Sequence, residues 1–284
     1  MKTNRNFKSS VFSSLFSDPD ILRELYCALK DVTLPPDVPV VINTLEDVLF
    51  MDRINDISFE IGGKLVVLIE HESKINPNIA LRFLMYIARI YEKIFGDKFI
   101  YSTTKMAIPQ PEFFVLYNGI EPFPDEDTFR LSDMFTSTES LGLPEKANSF
   151  LELECKVYNI NDGKNEGMVK RCHILAQYST FIAKVREFEK DGHSREESMK
   201  KGIVYCRNHD ILKEYLEKHS SEVLNMLMTE WNWDDAKQVW YEEGEQRGEQ
   251  TGEQKGRKEE RQEILELVDQ VGSLEELKQR LKII

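Results

Sequence analysis

The chain has 284 residues, 41% of them hydrophobic, so it is long enough for one large domain or for a core domain with an appendage. Its 50 acidic and 37 basic residues give a formal net charge of −13, which excludes a protein that coats nucleic acid passively but permits an enzyme that meets nucleic acid in one local groove. A polar N-terminus, four widely separated cysteines and the lack of an apolar run of about 18 residues predict a cytoplasmic protein with no membrane span.

The first predicted elements are helices followed by a strand. Apolar residues recur at helical spacing across residues 7–30, and Asp18-Pro19 interrupts the pattern. A proline-rich loop follows. Residues 38–42 then form a short apolar run that is typical of a strand, and residues 45–51 continue as extended chain.

A β-hairpin followed by a helix is predicted for residues 53–82. Residues 57–61 form the first strand, and Gly62-Gly63 is a two-residue turn of the kind that closes a hairpin. Residues 64–72 form a second strand whose two faces are both apolar, so it is expected to be buried on both sides. Asn76-Pro77 is suited to begin a helix, which Gly96 is suited to end.

Two carboxylates lie on one side of the second strand. Because side chains alternate along a strand, Glu70 and Glu72 point the same way. Such a pair at the end of a buried strand is costly unless its charge is compensated, and a divalent cation such as Mg²⁺ would compensate it. Asp56, on the neighbouring strand, could supply a third oxygen ligand. The alternative is that this edge of the sheet is exposed to water and needs no metal.

Two further residues near these acids are candidates for a role. The helix after the hairpin begins just beyond Glu72, so its direction can bring Arg82 close to the carboxylates. The alternative for Arg82 is a surface arginine that pairs with acidic residues. His71 lies between the two glutamates and has the opposite parity, so we expect it to pack or to form a hydrogen bond rather than to catalyse.

The second half of the chain changes from mixed to helical. Residues 112–117 and 151–158 are predicted strands, and a loop rich in proline and aspartate is predicted at residues 122–127. From residue 166 onward the apolar residues recur at helical spacing. We therefore expect a core in residues 1–160 and a helical subdomain in residues 161–240.

Residues 241–284 form a charged tail with a short repeat. Gly244, Gly248, Gly252 and Gly256 recur every four residues. Each glycine costs about 1 kcal/mol relative to alanine within a helix, so a helix built from the repeat alone is marginal. An amphipathic helical pattern follows the repeat. We expect a self-associating, coiled-coil-like tail that mediates homo-oligomerisation or binds a partner.

Several phrases of the sequence resemble one family in the same order. They are NDISFEIGGKLVVLIEHESKINPNIALRFLMYIARIYEKIF, PEFFVLYNGIEPFPDE, LELECKVYNIN, MLMTEWNWDDA and the glycine-repeat tail. Together they resemble the Rpn family of recombination-promoting nucleases and putative transposases, also called YhgA-like. The resemblance implies an α/β fold with a PD-(D/E)XK restriction-endonuclease-like core, in which helices flank a mixed sheet, followed by a helical region and a helical glycine-repeat tail. It also implies a divalent-metal-dependent DNA endonuclease associated with recombination or mobile elements.

The resemblance assigns roles to particular residues. Asp56 takes the place of the first motif acid and Glu70 that of the second, so both are expected to bind Mg²⁺ or Mn²⁺. Glu72 stands where the superfamily carries a lysine that orients or activates the attacking water, and it would act as a third ligand or a general base. From the chemistry rather than the resemblance, Arg82 or a nearby lysine such as Lys74 could stabilise charge in the transition state.

Two positions depart from the family pattern. Besides Glu72 in place of the motif lysine, Ser9 stands where relatives often have an aspartate. The missing lysine and the acidic net charge leave a second hypothesis open. It is a nuclease-like DNA-binding or assembly protein that is catalytically weak or inactive.

Overall fold

The computed structural model describes residues 10–43, 56–96, 101–141 and 150–228. Six strands in these residues form one mixed sheet in the order β1-β2-β3-β4-β6-β5, with helices packed on both faces. The α/β fold predicted from the sequence is therefore confirmed. The predicted extended segment at residues 45–51, the departure at Ser9 and the tail at residues 241–284 lie outside the described residues.

The strand bounds show how the sheet is connected. The strands are β1 (Val40–Ile42), β2 (Ile57–Ile61), β3 (Leu65–Glu72), β4 (Gln110–Tyr117), β5 (Glu126–Arg130) and β6 (Glu154–Asn159). Strands β1, β2 and β3 pair antiparallel, β3 and β4 pair parallel, and β4 and β6 pair parallel. The carboxyl ends of β3, β4 and β6 therefore meet at the same edge of the sheet.

Strand β5 was missed by the sequence analysis, which predicted a loop over its first two residues and no element over the other three. It pairs antiparallel with β6 at the edge of the sheet. All of its side chains are exposed or only partly buried, so it lacks the apolar pattern by which a strand is identified. Strand β6 also begins three residues later than the predicted strand.

The helices follow the predicted pattern with shifted ends. They are α1 (Val11–Leu15), α2 (Pro19–Lys30), α3 (Ile79–Phe95), α4 (Glu166–Val169), α5 (His173–Lys190) and α6 (Arg195–Asn208), and residues 213–228 are also helical. The Asp18 side chain caps α2, and Pro19 occupies its first position, which explains the break after α1. Helix α3 begins later than predicted because the Asn76 side chain accepts the Asn78 N–H in a turn, and it ends at Gly96 as expected.

The turn of the hairpin contains the two predicted glycines and one more residue. Gly62 and Gly63 both have positive φ values of 58° and 63°, which suit glycine, and the Lys64 N–H closes the turn on the Ile61 carbonyl at 3.0 Å. The ladder resumes with Ile61 opposite Leu65, so β3 starts one residue after the predicted position.

The two faces of β3 belong to two different layers. Val66 and Leu68 pack against α3 in a cluster that includes Phe83 and Ile87. The other parity points to the opposite layer, where His71 stacks on the Phe12 ring of α1 at 4.5 Å between ring centroids. Strand β3 is thus buried on both faces, as its continuous apolar run predicted.

The helices after residue 160 pack onto the same unit as the sheet. The Ser179 hydroxyl of α5 donates to the Ile160 carbonyl at 2.7 Å, and the Tyr215 hydroxyl donates to the Ser14 Oγ atom at 2.8 Å. The three-part division of the chain stays a prediction. Within the described ranges, no helix combines the length and the apolar character needed to cross a membrane.

Candidate active site

The hairpin brings Asp56 beside Glu70. Ile57 pairs with Ile69, so Asp56 immediately precedes the ladder at the level of Glu70 on the neighbouring strand. Residues that lie opposite each other in an antiparallel pair share one face of the sheet. The Asp56 Oδ2 atom accepts the backbone N–H of His71 at 2.7 Å, which holds this carboxylate against the end of β3.

Arg82 bridges the two glutamates of β3. Its Nη2 atom lies 2.5 Å from Glu70 Oε2 and its Nη1 atom 2.6 Å from Glu72 Oε1. The first turn of α3 carries the guanidinium to this position, so the structure brings Asp56, Glu70, Glu72 and Arg82 together. Of the two bridged side chains, Glu70 is 3% exposed and Glu72 is 18% exposed.

Burial and neighbouring charge determine the protonation of this cluster. The pKa of Glu70 is raised well above its usual range, mainly by burial and then by the negative charge of Asp56, while Arg82 opposes the rise. Burial alone would lower the pKa of Arg82, but the carboxylates of Glu70 and Glu72 outweigh it and raise that pKa. Arg82 is therefore a permanent cation, and it offsets part of the cost of two nearby carboxylates.

The oxygen donors are of the type that a hard divalent cation prefers. Glu70 Oε1 is buried and has no hydrogen-bond partner of normal geometry in the described part of the chain, although the Asp56 backbone N–H slightly lowers the Glu70 pKa. An acceptor of this kind is suited to a metal ligand. However, no three His, Cys, Asp or Glu side chains among the described residues are arranged to hold a metal ion in this conformation, in which Arg82 takes the place of the compensating cation.

His71 lies on the other side of the sheet from this cluster. Its ring stacks on Phe12, and its Nε2 atom is 3.2 Å from the Tyr178 hydroxyl. Burial, and then the positive charge of Arg186, lower the pKa of His71 to about 3. His71 is therefore a neutral packing residue that also forms a hydrogen bond, as its parity predicted.

A second polar cluster at the same edge was missed by the sequence analysis. The Arg186 Nη1 atom of α5 donates to Asn118 Oδ1 at 3.0 Å and to Asn161 Oδ1 at 2.7 Å, and its Nη2 atom donates to the Asn118 carbonyl. Asn118 and Asn161 follow the ends of β4 and β6. Nothing local marks these residues in the sequence, because Arg186 is 68 residues from Asn118.

This second cluster is joined to the first through the backbone. The Asn118 N–H donates to the Glu72 carbonyl at 2.9 Å, one step beyond the last paired residues of β3 and β4. The following Gly119 lies so close to Ser73 that a Cβ atom at residue 119 would be 2.1 Å from the backbone carbonyl oxygen of Ser73. The loop after β4 therefore holds the end of β3, where Glu72 lies.

A cavity of about 400 Å³ is found at the opposite edge of the sheet. It is lined by residues near the amino ends of β4 and β6, including Glu112, Phe113 and Glu154, and by Lys30 of α2. None of the four residues predicted to form the site lines it. The acidic cluster at the end of β3 thus remains the candidate active site.

Comparison with known proteins identifies a match to a family model. Residues 43–190, more than half of the chain, match the family model described as "Putative transposase, YhgA-like". The matched range contains both polar clusters at the carboxyl edge of the sheet. No curated protein and no solved structure matches the chain.

Proposed function

The chain belongs to the YhgA-like family of putative transposases, and from this membership we propose that it is a divalent-metal-dependent DNA endonuclease associated with recombination or mobile elements. We further propose that its mixed sheet and flanking helices form a PD-(D/E)XK core. The observation that carries the proposal is the buried carboxylate of Glu70, placed beside Asp56 at the carboxyl end of a central strand. A buried acid with an unpartnered oxygen is expensive for the fold, which is typical of a site kept for a function.

Asp56 and Glu70 are the proposed ligands of Mg²⁺ or Mn²⁺. Glu70 Oε1 has no hydrogen-bond partner of normal geometry in the described residues, and Glu70 Oε2 and Asp56 Oδ2 are oriented by Arg82 and by the His71 N–H. When bound, the metal ion would polarise the scissile phosphate and lower the pKa of a coordinated water. The protein contributes a rigid strand end that holds both oxygens on the same face of the sheet.

Glu72 and Arg82 are proposed to act together. Glu72 occupies the place of the superfamily lysine and would serve as a third ligand or as a general base. Arg82 would release the carboxylates when a cation takes its place beside them. Its planar fork of N–H donors would then be available to the charged oxygens of a phosphate.

A second function is favoured by the same ion pairs. Arg82 already contacts Glu70 and Glu72 at 2.5 and 2.6 Å, so these acids have a counter-charge without any metal. The motif lysine is absent as well. Under this alternative the protein is a catalytically weak or inactive nuclease-like protein that holds DNA or a recombination partner.

A plasmid assay with the full-length protein distinguishes the two functions. Supercoiled DNA is incubated with wild type, Asp56→Asn or Glu70→Gln in Mg²⁺, in Mn²⁺ and in EDTA. Under the endonuclease hypothesis, wild type nicks the plasmid in Mg²⁺ or Mn²⁺ but not in EDTA. Both variants are expected to lose this nicking activity. Wild type that binds the plasmid but nicks no more than the variants in every metal would refute cleavage and support the binding protein. Arg130→Gln, at an exposed ion pair with Glu154, is the matched control.

Calorimetric titration with Mn²⁺ tests the metal site independently of turnover. Wild type is expected to bind Mn²⁺, and Glu70→Gln is expected to bind it more weakly because one anionic oxygen ligand is lost. Equal binding by the two proteins would remove Glu70 from the ligand set.

A further inference from the structure

Arg186 is a partly buried cation at the same edge of the sheet as the candidate active site. No carboxylate in the described residues lies within ion-pair distance of it, and its hydrogen-bond partners are oxygens of Asn118 and Asn161. Burial lowers its pKa, but an arginine keeps its charge at any physiological pH. The hydrogen-bond partners of this full positive charge are thus all neutral amide groups.

The contrast with Arg82 shows why this placement requires an explanation. Arg82 is also partly buried, and it forms close ion pairs with Glu70 and Glu72. A buried charge without a counter-charge is costly even when neutral groups form hydrogen bonds to it. Arg186 has no such close pair in the described protein, because Glu189 of its own helix acts on it only from farther away and pairs with Arg195 at 3.6 Å. An anion from outside would therefore complete its surroundings.

The position of Arg186 in the fold indicates what kind of anion would bind to it. Asn118 and Asn161 follow the carboxyl ends of β4 and β6, and the Asn118 N–H binds the carbonyl of Glu72 at the end of β3. Ligands of open α/β sheets bind at this edge, where parallel strands end. An anion at Arg186 would therefore lie at the same edge of the sheet as the acids that the proposed function assigns to cleavage, on the α5 side of that edge.

The guanidinium has donor capacity left for such a ligand. Its three hydrogen bonds to Asn118 and Asn161 use the Nη atoms, and its Nε–H has no hydrogen-bond partner among the described residues. The two asparagines fix the plane of the group, and a fixed guanidinium matches the geometry of phosphate oxygens.

We propose that Arg186, oriented by Asn118 and Asn161, binds a backbone phosphate of DNA beside the cleavage site. This proposal rests on the proposed function, since it takes DNA as the substrate. It also accounts for how DNA approaches an edge where Asp56, Glu70 and Glu72 outnumber Arg82. One bound phosphate would supply the counter-charge of Arg186 and anchor the strand next to these acids.

The salt dependence of DNA binding by the full-length protein tests the proposal. Binding of a fluorescent duplex is measured by anisotropy over a series of salt concentrations, in EDTA and separately in Ca²⁺. The logarithm of the DNA-binding constant falls as the logarithm of the salt concentration rises. For duplex DNA, each contact between a cation and a phosphate contributes about 0.9 to the steepness of this fall, which is called the salt slope below. Arg186→Gln is expected to lower the slope by about that amount, because it removes one such contact. Arg130→Gln, at an exposed pair near the other end of β6, is expected to leave it unchanged.

A second variant guards against a folding defect in Arg186→Gln. Asn118→Asp places a carboxylate against the Arg186 Nη1 atom and so supplies a counter-charge within the protein, without removing a side-chain donor that bonds to a described residue. We expect it to raise the melting temperature and to lower the salt slope by about 0.9, as loss of the phosphate contact requires. Asn208→Asp, exposed at the end of α6, adds the same charge elsewhere and is expected to change neither.

The outcomes separate this proposal from the proposed function. An Arg186-dependent slope in a protein that never nicks DNA would support the phosphate site and refute the endonuclease. Metal-dependent nicking, together with a salt slope that neither variant alters, would support the endonuclease and refute the phosphate site. Arg186 would then only hold α5 against the loops that follow β4 and β6. The proposal is also overturned if wild type binds no DNA, or if the Arg186-dependent slope is seen with RNA alone.

Discussion

Replacing Arg82 with glutamine would remove the cation that bridges Glu70 and Glu72 while keeping much of the side-chain volume. The Glu70 side chain is 3% exposed, so its carboxylate would stay buried without the guanidinium that now lies 2.5 Å away. Breaking a buried ion pair by removing one partner costs about 3–5 kcal/mol. Since domains are stable by about 5–15 kcal/mol, Arg82→Gln is expected to lose a large fraction of the free energy of unfolding at pH values where Glu70 is ionised.

The loss is expected to depend on pH. The pKa of Glu70 in the folded protein is raised above its ordinary value of 4.5, first by burial and then by Asp56, and removing Arg82 raises it further. The folded state therefore binds a proton at a higher pH than the unfolded state does. Stability linked to Glu70 is then fully present below about pH 4.5 and is lost as pH rises through the folded-state pKa. The cost of Arg82→Gln should be largest above that pKa and smaller in acid.

Urea unfolding followed by circular dichroism, in EDTA at about pH 8 and about pH 5.5, measures this difference. Glu70→Gln combined with Arg82→Gln should be more stable than Arg82→Gln alone at the higher pH, because the uncompensated charge is gone. Arg130→Gln is the control for loss of an exposed ion pair. A loss below about 1 kcal/mol, or an equal loss at both pH values, would refute the assignment of a buried charged pair.

Three further predictions concern other parts of the chain. His71, whose pKa is lowered to about 3 by burial and then by Arg186, should show no NMR titration between about pH 8 and pH 5. Its contribution to stability is full above its ordinary pKa of 6.5 and is lost as pH falls towards 3, and a titration near 6.5 would contradict its burial. Gly119→Ala should lower the free energy of unfolding by about 1–3 kcal/mol in urea, because its Cβ would lie 2.1 Å from the Ser73 oxygen. Gly167→Ala, which has open space, should not, and equal effects of the two changes would be evidence against the close approach. Deletion of residues 241–284 should lower the oligomeric state and leave the core folded, and an unchanged mass per particle in light scattering would argue against the tail as an oligomerisation element.

Local pattern was sufficient to predict the hairpin and the side of β3 on which each residue lies. Strand alternation places Glu70 and Glu72 on one side and His71 on the other, whatever packs above them. The two glycines of the turn and the capping residues of α2 also act through their own backbone preferences. These features depend on near neighbours in the chain, so the sequence alone determines them.

Features that join distant segments were decided by the tertiary structure. Glu70 and Glu72 have the same parity, yet Glu70 is more deeply buried because it lies further inside the sheet, beside Asp56. Strand β5 exists because β6 offers it an edge to pair with, although its own side chains have no strand pattern. The cluster around Arg186 joins α5 to the ends of two strands through hydrogen bonds that span 25 to 68 residues. The periodicity of apolar residues in the sequence does not predict these long-range contacts. They arise because the sheet brings the ends of β3, β4 and β6 to a common edge.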